Sequence, residues 1–357
     1  MERALKLIIG QEHRDLPVEI NVSSEVYAVT FSANGEHLLS GDDQGVRVWR
    51  VEDGKQAARM EAKDVRCLTV SKDGRWIAAG TTSGDVVVWD TKTYEQVFKH
   101  WGDGQNIKGV DFSPDSSRLV SASNNYTASI WDVTTRKRIQ ALDHKSLVRV
   151  AKFSPQGDRI ATATPDSIRV WDSKDGCLLV DIKVPVTPWY NTGLLWSNNH
   201  LFAISNGKIK QIDSSTGSAV SEWSVPESDG YSCIALLKKG KFISHSAKRT
   251  VAFWDTSSHA KLGYIQHLQD IRSIALSPDD DFIAITGQHG NIIVRRLSRI
   301  IVSVLSFWIM VYISNFLVPI IQSIYLVYTP GTRYSDKRRC APCLEAQSTR
   351  KRRSIVG

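Results

Sequence analysis

Cysteine is scarce in these 357 residues. Cys67, Cys177, Cys233, Cys340 and Cys343 are too few and too scattered for a disulfide framework, so a reducing compartment is expected. The charged start Met1-Glu2-Arg3 is not followed by the apolar run that a secretory leader needs. Enzyme signatures are missing as well. No Gly-rich loop joins a strand to a helix, the nine histidines lie far apart, and no Ser, His and acid set shares a context. Cys340-Ala341-Pro342-Cys343 is a single pair, whereas zinc takes four ligands, usually from two pairs. These absences argue against an enzyme, and neither a metal nor a cofactor is expected.

What the sequence does have is a beat. Val86-Val87-Val88-Trp89-Asp90 recurs as Val48-Trp49-Arg50, Ile130-Trp131-Asp132, Val170-Trp171-Asp172 and Phe253-Trp254-Asp255, and in eroded form around Ile212 and Arg295. Taken at the Trp position, the copies stand at 49, 89, 131, 171, 212, 254 and 295, with spacings of 40, 42, 40, 41, 42 and 41. A second landmark precedes each: Phe31-Ser32, Val70-Ser71, Phe112-Ser113, Phe153-Ser154, Trp196-Ser197, Leu237-Lys238 and Leu276-Ser277. Turn residues such as Ala-Asn-Gly, Lys-Asp-Gly and Pro-Asp-Ser follow, then a short alternating apolar run, a second turn and the Trp-ending strand.

This period and its terminal Trp-Asp (Trp89-Asp90, Trp131-Asp132, Trp171-Asp172, Trp254-Asp255) resemble the WD-repeat β-propellers, over roughly residues 4 to 298. The resemblance implies an all-β fold of seven four-stranded antiparallel blades around a channel. A lone blade cannot bury both faces, so each must stack on its neighbours. In such rings a strand from the other terminus completes the last blade, and Ala4-Leu5-Lys6-Leu7-Ile8-Ile9 is expected to pair with Asn291 to Leu297. The family's His, Ser or Thr, Trp and Asp network is approximated only by His144, Thr162, Asp166 and Trp171, with Asp43 as the clearest tight-turn aspartate.

The propeller is expected over 1–298, a hydrophobic, helix-like segment over 299–328 and a basic tail over 329–357. From Arg295 onward there are eleven basic and two acidic residues, a net of +9, so the total of +8 leaves the rest at -1. Ile300 to Tyr328 runs twenty-nine residues without Asp, Glu, Lys, Arg or His, long enough to span a bilayer, although Ser314, Asn315, Pro319 and Gln322 interrupt it. The expectation is a cytosol-facing, membrane-anchored protein. The alternatives are a nuclear or nucleic-acid-associated WD-repeat adaptor, since Lys337-Arg338-Arg339 and Arg350-Lys351-Arg352-Arg353 resemble a two-part import signal, or a soluble fragment of a longer multidomain WD-repeat protein.

Function is expected on the ring. In the resembling family the residue five before the Phe-Ser serine lies at the channel mouth, where partners are read. Here it is Tyr27, Arg66, Lys108, Arg149, Thr192, Cys233 and Arg272. Two places earlier, on the rim, stand Glu25, Asp64, Asn106, Leu147, Tyr190, Tyr231 and Asp270, so Asp64 and Asp270 could offset the nearest arginines. Tyr27, Arg66, Lys108, Arg149, Arg272 and Tyr190 are the expected partner-binding residues. A non-catalytic scaffold follows, whose partners are other proteins, acidic or phosphorylated peptides among them. Nucleic acid is disfavoured, because only the tail and the mouth would argue for it.

Overall fold

Four short apolar runs per repeat, each closed by a turn, become four strands. A computed structural model describes residues 18–100, 104–185, 193–226, 233–237 and 240–297. Blade one comprises β2 (Val26–Phe31), β3 (His37–Asp42), β4 (Gly45–Arg50) and β5 (Gln56–Glu61). Blade two comprises β6 (Val65–Val70), β7 (Trp76–Thr81), β8 (Val86–Asp90) and β9 (Gln96–His100). Blade three is β10 (Ile107–Phe112), β11 (Arg118–Ser123), β12 (Thr127–Asp132) and β13 (Lys137–Asp143); blade four is β14 (Val150–Phe153), β15 (Arg159–Ala163), β16 (Ile168–Asp172) and β17 (Leu178–Ile182). Blade five is β18 (Leu194–Ser197), β19 (His200–Ser205), β20 (Lys208–Asp213) and β21 (Ala219–Ser224); blade six is β22 (Ile234–Leu237), β23 (Phe242–Ala247), β24 (Thr250–Asp255) and β25 (Lys261–Gln266). Blade seven takes β26 (Ile271–Leu276), β27 (Phe282–Gly287) and β28 (Asn291–Arg296), with β1 (Val18–Asn21) on its outer edge.

That last pairing corrects the expected closure. Val18 faces Val294 and Asn21 faces Asn291, so β28 has β27 on one side and β1 on the other and leaves no edge for residues 4 to 9, which lie outside the described residues. Packing selects β1. Ile20 and Val22 are buried with Ala284, Ile292 and Val294 of blade seven and Trp49 of blade one, and the Val22 N–H donates to the Gly290 carbonyl at 2.8 Å. The turn of blade one lies so close that a Cβ on Gly54, whose φ is +69°, would stand 2.8 Å from Val18.

The core is seven wedges, each shared by two consecutive blades. Trp49, Trp89, Trp131, Trp171 and Trp254 each fill the wedge against the preceding blade. In blade five Ile212 takes that place, with Trp196 packed alongside, so the eroded repeat still closes its wedge. The signature aspartates work locally. Asp90, Asp132, Asp172 and Asp255 accept backbone N–H groups of the turn that follows, from Lys92, Thr135, Lys174 and Ser258 at 2.6–2.8 Å. Those donors hold Asp132 and Asp255 below the usual carboxylate range. Asp213 of blade five does the same with Thr216. The Phe-Ser serines tie the other turn: Ser32, Ser71, Ser113, Ser154 and Ser277 each accept the N–H five residues on, at 2.8–3.0 Å.

The polar network of blade four is present with three members. The Trp171 indole donates to Thr162 Oγ1 at 2.8 Å, His144 Nε2 lies 2.8 Å from the same hydroxyl, and His144 Nδ1 lies 2.9 Å from the Leu142 carbonyl. A carbonyl can only accept, so Nδ1 carries the proton and Nε2 accepts from Thr162. Asp166 is not part of it among the described residues; its N–H donates to Thr164. Asp43 is also displaced from its expected role. The turn is held by its neighbour Asp42, fully buried, which accepts from the Gln44 and Gly45 N–H groups and from Ser24. No helix among the described residues is long and apolar enough to cross a membrane, and Ile300 to Tyr328, the expected span, lies outside them with the basic tail.

Candidate interaction site at the channel mouth

Inner strands of all blades begin at one end of the channel, and the repeat register carries one residue of each to that end. Tyr27, Arg66, Lys108 and Arg272 are second in β2, β6, β10 and β26, while Arg149 and Cys233 immediately precede β14 and β22. Neighbouring blades are tied there. Cys67 Sγ lies 3.7 Å from the Ile107 carbonyl, which sets Arg66 and Lys108 on adjoining positions, and the Val148 N–H donates to Ser123 of blade three at 3.0 Å, which brings Arg149 alongside. Tyr190 and Thr192 lie outside the described residues.

The mouth has two sides of different character. Around Tyr27 the cations are paired: the Arg66 guanidinium lies 3.6 Å from the ring centroid and reaches Asp43 at 3.0 Å and Asp64 at 3.7 Å. Arg272 stands 5.8 Å from the same ring and 3.5 Å from Glu25, which also accepts from the Tyr27 hydroxyl. Burial and that hydrogen bond raise the Tyr27 pKa. Asp64 therefore offsets its neighbour as expected, but Asp270 does not: it pairs with Arg249 at 3.3 Å, because ring closure offers Arg272 a carboxylate from blade one. Cys233 is buried, its sulfur 3.3 Å from the Arg272 carbonyl.

On the side of blades three and four the charge is sunk instead. Lys108 is only 6% exposed. Burial, then the guanidiniums of Arg149 and Arg66, push its pKa down to about 8. Deeper in, Lys152 pairs with Asp111 at 2.9 Å, and a channel cavity of about 220 Å³ connects Lys152 to Tyr27 and Arg272. No group of three or more His, Cys, Asp or Glu side chains among the described residues is placed to hold a metal ion. This arrangement suits capture of an anion through charge and bidentate guanidinium contacts.

The profile of the WD domain, G-beta repeat, matches residues 18–50, 54–90, 93–132 and 136–172. Residues 18–172 carry WD repeats, within a seven-bladed β-propeller. The profile covers the first four repeats, and the remaining three blades repeat the same sheet. Among similar proteins, the U3 small nucleolar RNA-associated protein 15 homolog of Xenopus laevis is 25% identical over 64% of this chain and 45% of its own length. The small ribosomal subunit protein RACK1y of Oryza sativa subsp. japonica is 30% identical over 38% of this chain and 42% of its own. WD repeat-containing protein 18 of Danio rerio is 23% identical over 74% of this chain and 68% of its own. The WD-repeat chain thus spans less than half the length of the first two relatives.

Proposed function

We propose that this propeller is a non-catalytic adaptor that docks acidic or phosphorylated segments of partner proteins in its channel mouth, within a nuclear or ribosome-associated RNA-processing assembly. The observation that carries the mouth is Lys108. Burying an ammonium between two guanidiniums costs stability, and a mouth that served only as a solvated surface would gain nothing from it. The setting is supported by the names of the relatives, one a small nucleolar RNA-associated protein and one a ribosomal subunit protein. A membrane tether draws no support from those relatives, so the nuclear adaptor is preferred. An enzyme would need carboxylates or histidines converging on the mouth, where the aligned residues are mainly Arg and Lys.

The test compares the whole chain with a Lys108→Glu and Arg149→Glu double variant against a labelled phosphoserine peptide and its unphosphorylated counterpart, at about 50 and 150 mM salt. Wild type is expected to prefer the phosphopeptide by about tenfold or more, with weaker binding at the higher salt, and the double variant to lose that preference. Equal binding by both proteins overturns the reading. Tighter retention of single-stranded RNA than of either peptide replaces it with nucleic-acid binding.

A further inference from the structure

Blades three and four lock onto their successors through an arginine at the start of the second strand. Arg118 donates to the Ser173 carbonyl at 2.6 Å and the Gly157 carbonyl at 3.1 Å in blade four, and Arg159 reaches Ser215 of blade five at 3.3 Å. Blade one has His37 in that place, and its imidazole makes no hydrogen bond, ion pair or ring contact among the described residues. A second filler is reduced beside it. Pro114 packs 3.1 Å from where a Cβ on Gly157 would stand, whereas blade one has Ala33 facing Gly74. The consequence is a cleft of about 530 Å³ between blades one and two, at the opposite end of the blades from the cationic mouth.

The floor of the cleft is Val70 with Ala33 beside it, lying over the buried Leu39, Val48 and Ile77, and one wall is Tyr94. Tyr94 has φ +57°, at a turn position that is glycine (Gly54, Gly176, Gly217) in blades one, four and five and Arg136 or His259, at φ +61° and +58°, in blades three and six. At the rim, Asp73 is held in its own turn by Ser71 at 2.6 Å and the Arg75 N–H at 3.0 Å. The side chains of Lys72, His37 and Tyr94 have no hydrogen bond or ion pair among the described residues. Three unused donors thus surround an aliphatic floor.

We infer that this cleft binds a short linear segment of a partner protein, burying an aliphatic side chain on the floor and setting an adjacent carboxylate against Lys72 and His37. The volume lies within the range of pockets that take small ligands and exceeds what one side chain needs, which suits two or three consecutive residues. A cation next to an apolar floor selects acid beside aliphatic. This inference does not depend on the mouth.

The test uses labelled eight-residue peptides with a central Leu-Asp, with Lys in place of the Asp, and with Ala in place of the Leu, titrated into the whole chain by fluorescence polarisation. The Leu-Asp peptide is expected to bind about tenfold tighter than the other two. Lys72→Glu should abolish the preference, while the Lys108→Glu and Arg149→Glu variant keeps it, which separates the cleft from the mouth. Tyr94→Asn tolerates the left-handed turn and, while folded by circular dichroism, should bind more weakly. Equal affinity for all three peptides, or a Lys72→Glu protein that discriminates like wild type, overturns the inference. Laurate binding without peptide binding overturns it in favour of a fatty-acid site.

Discussion

A chain that starts at residue 23 melts at least about 10 °C below the full chain or aggregates, while a chain that starts at residue 17 melts within about 2 °C of it. The larger truncation removes β1, and with it Ile20 and Val22, both buried in the wedge between blades seven and one. Each buried aliphatic side chain is worth about 1.5–3 kcal/mol, so two of them form a large share of a typical total of about 5–15 kcal/mol. The antiparallel ladder to β28 is lost too, and an unpaired edge invites association with other chains. Thermal melts with light scattering on the two truncations decide it. If the chain starting at residue 17 is as unstable as the one starting at 23, the segment before β1 closes the ring.

Thr162→Val lowers stability by about 2–4 kcal/mol, roughly 5–12 °C in a domain of this size. Thr162 is fully buried, and its one hydroxyl serves two partners, accepting from Trp171 and donating to His144. Valine keeps the shape and leaves both partners unsatisfied. Ser244→Ala in blade six is the internal control, with an expected cost of about 1 kcal/mol. Trp254 Nε1 makes no hydrogen bond among the described residues, and Ser244 serves only the Ala235 carbonyl. The network has a pH signature as well. Burial pushes His144 down to about 4 in the folded chain, below an unfolded value near 6.5. Between those values the unfolded chain binds more protons, so stability falls as pH drops from about 6.5 to 4. Chemical denaturation of the wild type and the two variants at pH 7 and pH 5 measures both effects. Equal losses from Thr162→Val and Ser244→Ala contradict the network.

The ring was legible because its two landmarks share one period, and evenly spaced Trp positions need no knowledge of contacts. Closure was misplaced for a local reason. Residues 4 to 9 are more apolar than Val18–Asn21, but a strand ending at Ile9 would leave sixteen residues before Val26. In the other blades three to eleven residues separate the outer strand from the next inner one, so spacing pointed to β1 where hydrophobicity did not. At the mouth, register alone carried Tyr27, Arg66, Lys108, Arg149 and Arg272 to one end of the channel. The pairing of Arg272 with Glu25 was hidden because it spans the closure, joining residues 247 positions apart in sequence. Asp42 and Asp43 are adjacent, and only the backbone decides which turns inward. The cleft between blades one and two had no positive signal; it arises where His37 and Ala33 fail to fill what Arg118 and Pro114 fill elsewhere.

Lys108→Met tests the central claim most directly, through two readings on one protein. The claim is that the ring holds a buried cation at its mouth, at the expense of stability, in order to take an anionic partner. The folded pKa of about 8 lies below the ordinary lysine value of 10.5, so at neutral pH the charged side chain opposes folding, and that opposition is lifted only as pH rises from about 8 towards 10.5. An uncharged side chain of similar length relieves that cost. The expected result is a melting temperature at pH 7 a few degrees above wild type together with about tenfold weaker binding of the phosphoserine peptide. A variant that binds the peptide as wild type does, or that binds weakly because it melts lower, contradicts the account.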